Sequence, residues 1–188
     1  MDEILEFSHY RDIPHLLMPL MSKMEQAMNA LDWCVQETER RYQLLSLLRV
    51  RNIDGYNQKV CESNNQDSVL PRIVIVIDEF SDLMLKIGKK AETVLARLTQ
   101  KSSIVGIHLI LVTQHSSSSV ITDAIKENIP TRIAFRVSNK TESNLILDKS
   151  GAEDLLEDGA MLINSSKKSD FNEIKGIFVS RKEEYRIQ

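Results

Sequence analysis

Only two cysteines occur in 188 residues, Cys34 and Cys61, far apart and with no CxxC or Cys/His spacing around either. That scarcity argues against a zinc site or a disulfide framework, and both are expected to be free thiols, Cys34 packed and Cys61 in a loop. Long apolar runs are missing as well, and the opening MDEILEFSHY lacks the basic-then-apolar layout of a signal peptide. A cytoplasmic chain is therefore expected. Charge of one sign does not dominate: 24 Lys and Arg stand against 27 Asp and Glu, a net charge of −3. Such a balance excludes coating of nucleic acid by bulk charge, so any contact of that kind has to be local. No internal repeat, low-complexity array or domain boundary is visible. What remains is a chain 42% hydrophobic and 27% charged, enough for one soluble domain over residues 1–188 with a proper core.

The first 50 residues are dominated by one long helical pattern. Ser22 to Glu25, SKME, has capping-box spacing and opens an amphipathic series at Met24, Ala27, Leu31, Val35, Thr38, Tyr42 and Leu45. Gln36, Glu37, Arg40 and Gln43 fall on the opposite face, expected to be solvated or shared between subunits. Turn chemistry at Asp54-Gly55 and a polar tract over Ser63–Ser68 predict a surface loop before Pro71.

From residue 72 to 188 the pattern alternates. A buried strand over Ile73–Ile77 is followed by helices from about Ser81 to Ile87 and from about Ala91 to Lys101, then by a second apolar strand, GIHLILVT. SVITDAIKEN suits a helix, TRIAFRV a strand and SNKTESNLIL a capped helix starting at Ser138. Strands separated by helices predict a mainly parallel sheet with helices on both faces, with Ile73–Ile77, Ile107–Val112 and Arg132–Val137 as neighbouring parallel strands. GAMLIN and IKGIFVS predict two short edge strands, with Ser165–Asp170 as the turn between them.

The stretch RIVIVIDEFSDLM, Arg72 to Met84, carries the chemistry, because five apolar residues run directly into Asp78 and Glu79. Carboxylates at the end of a buried strand are costly unless a cation meets them. In P-loop ATPases such a strand ends in an Asp that helps to hold Mg²⁺, often beside a Glu that orients the attacking water. Acids that simply open the following helix, favoured there by its macrodipole, fit these residues equally well.

The order of several phrases is more particular. EFSHYRDIPHLL, ALDWCVQETERRY, VRNIDGYN, IVIVIDEFSDLM, GIHLILVTQ, VITDAIKENIPTRIAFRVSNK and the ILDKSGAEDLL and GAML phrases occur in succession. Together they make the chain resemble the motor domain of the FtsK/SpoIIIE family of DNA translocases along nearly its whole length. The resemblance implies a RecA-like P-loop NTPase core, assembly into a hexameric ring, and ATP-driven movement of double-stranded DNA in chromosome segregation, cell division or DNA transfer. It makes Ile73–Asp78 the Walker B strand, with Asp78 supporting Mg²⁺ and Glu79 activating water. It also places Thr113 and Gln114 where the Gln amide senses the γ-phosphate, and Lys140 and Asn144 on the DNA side. It is compatible with a parent protein anchored to the inner membrane by a segment outside these residues.

The chain departs from the family pattern at several points. No GxxxxGK[ST] loop occurs, and KIGKK around Gly88 has neither its spacing nor a preceding strand. The residues thus resemble the C-terminal portion of the motor core, whose N-terminal part would otherwise cover sheet edges and apolar surface. An exposed apolar surface and a tendency to associate are expected, and ATP binding by the chain alone is expected to be weak. Ser103 and His115 stand where relatives carry Arg, and Asn144 stands in a second Arg position beside Lys140. The alternative function is a catalytically silent, ring-forming interaction module. A third reading, a subunit of another ring ATPase such as a conjugative coupling protein, fits VRNIDGYN and NIPTRIAFRVSNK less closely.

Overall fold

β1, Ile73–Ile77, is a run of β-branched residues and forms where expected. It pairs in parallel with β2, Ile107–Leu111, in the register Ile73↔Ile107, Ile75↔Leu109 and Ile77↔Leu111. The computed structural model describes residues 7, 10–63, 68–156, 158–165, 172–180 and 183. In chain order these contain α1 (Met24–Leu47), α2 (Ile53–Glu62), β1, α3 (Phe80–Ile87), α4 (Lys89–Lys101) and β2. They continue with α5 (Asp123–Asn128), β3 (Thr131–Phe135), α6 (Lys140–Leu147), β4 (Ala160–Ser165) and β5 (Asn172–Lys175).

One face of the β1/β2 pair is covered. Ile75, Ile77, Leu109 and Leu111 pack onto a core supplied by α1, α3 and α4, including Leu31, Val35, Leu83, Leu95 and Leu98. A second cluster, with Leu45, Ile53, Tyr56, Val105 and Ile107, closes the N-terminal ends of the strands. On the other face Val74, Val76, Ile110 and Val112 are exposed, the open apolar surface that the sequence predicts.

The third apolar run does not join this pair. β3 pairs antiparallel with β4, Ala134↔Leu162, and β4 with β5, Met161↔Ile174, in a separate three-stranded sheet over a small core of Ala134, Leu147, Ala152, Leu155 and Ala160. Among the described residues the parallel arrangement is therefore limited to β1 and β2. Helical spacers permit parallel pairing but do not determine which edges meet, and β4 returns along β3 to take its edge. β5 is also placed earlier than expected, and Ile177 and Phe178 beyond it are exposed.

Local corrections follow from cap chemistry. Ser22 does not cap α1: the helix begins at Met24, with extended Lys23 in the cap position and no side-chain cap bond. Asn52 caps α2 by accepting from the Gly55 N–H at 2.9 Å, which draws Asp54-Gly55 into a helical turn. Cys61 is consequently exposed on the last turn of a helix rather than in a loop, whereas Cys34 is buried as expected. Asn139, one residue after Ser138, caps α6: its Oδ1 accepts from the Glu142 N–H while the Glu142 carboxylate accepts from the Ser138 N–H, each at 3.0 Å. Most of the Ser63–Ser68 tract and of the Ser165–Asp170 turn lies outside the described residues.

Candidate functional site

The C-terminal tips of β1 and β2 are joined beyond their ladder. Val112 N–H donates to the Ile77 carbonyl and Phe80 N–H to the Val112 carbonyl, both at 2.9 Å. Between these bonds the chain turns at Glu79, whose backbone is left-handed at φ 45° and ψ 54°. A non-glycine residue held there costs of order 1–3 kcal/mol and persists only where its surroundings impose it. Glu79 occupies the N-cap position of α3 yet its side chain makes no cap hydrogen bond. Its carboxylate crosses to the neighbouring strand instead. Oε1 accepts from the Thr113 hydroxyl at 2.5 Å and from the Ser81 hydroxyl, and Oε2 accepts from the Gln114 N–H at 3.1 Å.

Burial works against the charged form of Glu79, but the donors on Ser81, Thr113 and Gln114, with His115 nearby, outweigh it and hold the carboxyl below its usual range. Asp78 is exposed beside it, one of its oxygens accepting from the Glu79 N–H at 3.1 Å. The acids are thus two distinct groups, one fixed across a strand boundary and one open to solvent. Helix opening does not account for that arrangement, because neither carboxylate accepts from a backbone N–H of the first turn of α3.

The donor set is oxygen throughout, which suits a hard cation such as Mg²⁺. Among the described residues no group of three or more His, Cys, Asp or Glu could hold a metal ion. One exposed carboxylate fits Mg²⁺ only where nucleotide phosphates and water complete the coordination, so the residues present suit half of a nucleotide site. An open groove of about 1290 Å³ includes Asp78, Glu79 and Asp82 in its lining, together with Leu16, Val74 and Val76.

Residues 2–118 match the FtsK/SpoIIIE family model. The chain belongs to the FtsK/SpoIIIE family. It is 47% identical to the DNA translocase FtsK of Haemophilus influenzae, over 98% of this chain and 39% of that protein. It is 46% identical to the DNA translocase FtsK of Pasteurella multocida, over 98% of this chain and 22% of that protein. The chain therefore spans well under half the length of these relatives. In structure it resembles the pCW3 conjugation coupling protein TcpA, described in a monomer form with ATPγS, with a TM-score of 0.79 and 27% identity over 90% of this chain and 49% of TcpA. The type VII secretion ATPase EccC of Thermomonospora curvata shares the fold, with a TM-score of 0.70 and 20% identity over 86% of this chain and 19% of EccC. The fold is accordingly a RecA-like α/β core.

The FtsK/SpoIIIE pattern distributes the remaining candidates over the molecule. Asp78, Glu79, Thr113, Gln114 and His115 gather at the strand tips, where the His115 N–H donates to the Thr113 hydroxyl at 3.0 Å. Ser103 does not join them: it lies in the short 3₁₀ turn Ser102–Val105, at the opposite end of β2. Lys140 and Asn144 lie apart on α6, both exposed, with the Asn144 amide donating to the Lys140 carbonyl at 2.8 Å. Two residues escaped sequence reasoning. Ser81 is fully buried against Glu79, and Arg41 is 2% exposed within the face of α1 assigned to the core. Arg41 pairs with Glu37, whose side chain is only 10% exposed rather than solvated. A charged residue at a core step of the α1 pattern was the available signal for Arg41; nothing distinguished Ser81.

Proposed function

We propose that this chain is the Walker B and sensor portion of an FtsK/SpoIIIE-type motor that moves double-stranded DNA at the expense of ATP, as part of a hexameric ring. The observation that carries the reading is Glu79: a strained residue at a strand tip whose carboxylate joins Ser81 of its own helix to Thr113 and Gln114 just beyond β2. Bound ATP with Mg²⁺ would supply the phosphoryl group to be transferred. Asp78, exposed beside Glu79, supports the metal, and Glu79 orients the attacking water and accepts its proton. Thr113 holds Glu79, and the Gln114 side chain, carried on the residue whose N–H fixes Glu79, reads the γ-phosphate. Lys140 meets a DNA phosphate as a point charge and Asn144 offers a neutral hydrogen bond. Among the described residues no helix is long and apolar enough to cross a membrane.

The chain alone is expected to show no measurable ATPase, since it has no GxxxxGK[ST] loop to hold the β- and γ-phosphates. Joined to a strand, GxxxxGKS loop and helix of the family, it should bind nucleotide and hydrolyse it slowly. Ser103→Arg should then raise turnover in an assembly- and DNA-dependent way, because an arginine acting across a subunit boundary is worth roughly 10³–10⁵ in rate. ATPase activity in the unmodified chain that Asp78→Ala abolishes would overturn this account of the site. The second reading, a ring-forming module that hydrolyses nothing, is favoured by Ser103 and His115 in Arg positions. Sustained turnover by the joined motor that Glu79→Gln abolishes would remove it.

A further inference from the structure

Resting on the hydrolytic reading above, we infer that Ser81 is a positioning residue for Glu79, saturating Oε1 together with Thr113 so that Oε2 is the oxygen presented to water. An ionised carboxylate offers about four acceptor positions, two on each oxygen. The hydroxyls of Ser81 and Thr113 take both on Oε1, and the Gln114 N–H takes one on Oε2. One acceptor position remains, on Oε2, and its direction is set by groups on both sides of the carboxylate. The base is thereby oriented before any substrate arrives, the condition under which a positioned group accelerates proton transfer.

Among the described residues the other helical hydroxyls with a hydrogen bond donate to a backbone carbonyl, Ser143 to that of Lys149, whereas Ser81 donates to a carboxylate. Thr38, Thr93 and Thr99 each donate to the carbonyl four residues earlier, the ordinary outlet for a hydroxyl inside a helix. Ser81 lacks that outlet: it lies in the first turn of α3, and the carbonyl four residues before it belongs to Ile77, in β1 rather than in the helix. Fully buried, the Ser81 hydroxyl spends its proton on Glu79. Because the same oxygen is shared with Thr113, Ser81 ties the first turn of α3 to the tip of β2 through a single carboxylate.

Amide hydrogen exchange in the 188-residue chain, followed by NMR without nucleotide, tests this directly. Ser81→Ala removes one oxygen atom from a buried site and should leave the fold intact. Exchange at the Gln114 N–H should rise by about threefold to tenfold, the effect of losing one hydrogen bond from the cradle. The Val112 N–H, bonded to Ile77, should exchange as before. Thr113→Val should speed Gln114 similarly, and Thr113→Ser, which keeps the hydroxyl, should not. Unchanged Gln114 exchange in Ser81→Ala overturns the assignment, as does an equal rise at Val112, which would mark Ser81 as a general packing residue. The measurement is independent of turnover. Faster Gln114 exchange supports the positioning role even where Glu79→Gln leaves an assembled motor fully active, a result that would sink only the hydrolytic reading.

Discussion

The two ends of the β1/β2 pair are built on opposite terms. At the N-terminal end a cation is enclosed: one nitrogen of Arg41 donates to the Pro71 carbonyl at 2.8 Å and to the Val105 carbonyl at 3.0 Å, while its Nε reaches Glu37 at 2.7 Å. Those carbonyls lie just ahead of β1 and β2, so α1 grips both strands where they begin. At the C-terminal end the charge is negative, the backbone is strained at Glu79, and Asp78 is left in solvent. The hydrogen bonds of Arg41 to Glu37, Pro71 and Val105 all serve the fold. At the acid end, part of the bonding capacity is withheld from it. Ligands of open α/β sheets bind at the carboxyl ends of strands, and the contrast shows the physical division that allows this: stabilising contacts are concentrated at one end and unused acceptor capacity at the other.

Replacing Arg41 should have the largest effect. Arg41→Ala leaves two carbonyls and part of the Glu37 carboxylate without their donor in a closed site, and breaking a buried pair in this way costs about 3–5 kcal/mol. Chemical denaturation of the chain checks it. A loss under about 1 kcal/mol would mean that water replaces Arg41 freely and that the N-terminal end is no more closed than the other.

Gly106 sharpens the same contrast at a smaller scale. It opens β2 with φ +77°, and a Cβ there would stand 2.4 Å from the Ile53 Cδ1 atom. Gly106→Ala should cost roughly 2–3 kcal/mol, combining left-handed strain with overpacking against a methyl group that can give way in part. Thermal unfolding is the measurement, and a shift no larger than that of an exposed helical substitution would show that Ile53 moves aside without penalty.

The pH response separates the ends by a weaker effect. Hydrogen bonds from Arg40, more than those from Arg41, hold the Glu37 carboxyl below its usual range against the opposing effect of burial. Its folded pKa is depressed, so its contribution to stability is full above the ordinary glutamate value of about 4.3 and is lost as pH falls through the folded value. Glu37→Gln should flatten the stability profile in that acid window and leave its shape at neutral pH unchanged. An identical acid limb in both proteins would mean that Arg41 is held by the carbonyls alone.

How much of this could be read in the sequence depended on whether the signal was local. The IVIVI run ending in DE located β1 and its acid tip, and the periodicity of α1 located its core face, because burial imposes those patterns on neighbouring residues. Adjacency between distant strands leaves no such trace: TRIAFRV reads as a strand whether it lies beside β2 or beside β4. Asp54-Gly55 read as a turn because the dipeptide favours one, but Asn52 two residues earlier offered a cap and the helix prevailed. The place of Glu79 at the acid tip of β1 was legible through its family phrase. Its left-handed backbone and its bond to Ser81 were not, since they arise where two strand tips meet.

The smallest expected change in stability falls on the residue with the largest expected role. Asp78 is exposed, and its carboxylate accepts from the Glu79 N–H beside it, where water can substitute. Asp78→Ala should alter unfolding free energy by no more than about 0.5 kcal/mol, the range of surface substitutions that remove no buried partner. A carboxylate that contributes so little to the fold, next to one held in a strained cradle, is the arrangement expected where a cation completes the site. If Asp78→Ala instead destabilised the chain as much as Gly106→Ala, Asp78 would be structural, the acid end would resemble the Arg41 end, and the division between the two would fail.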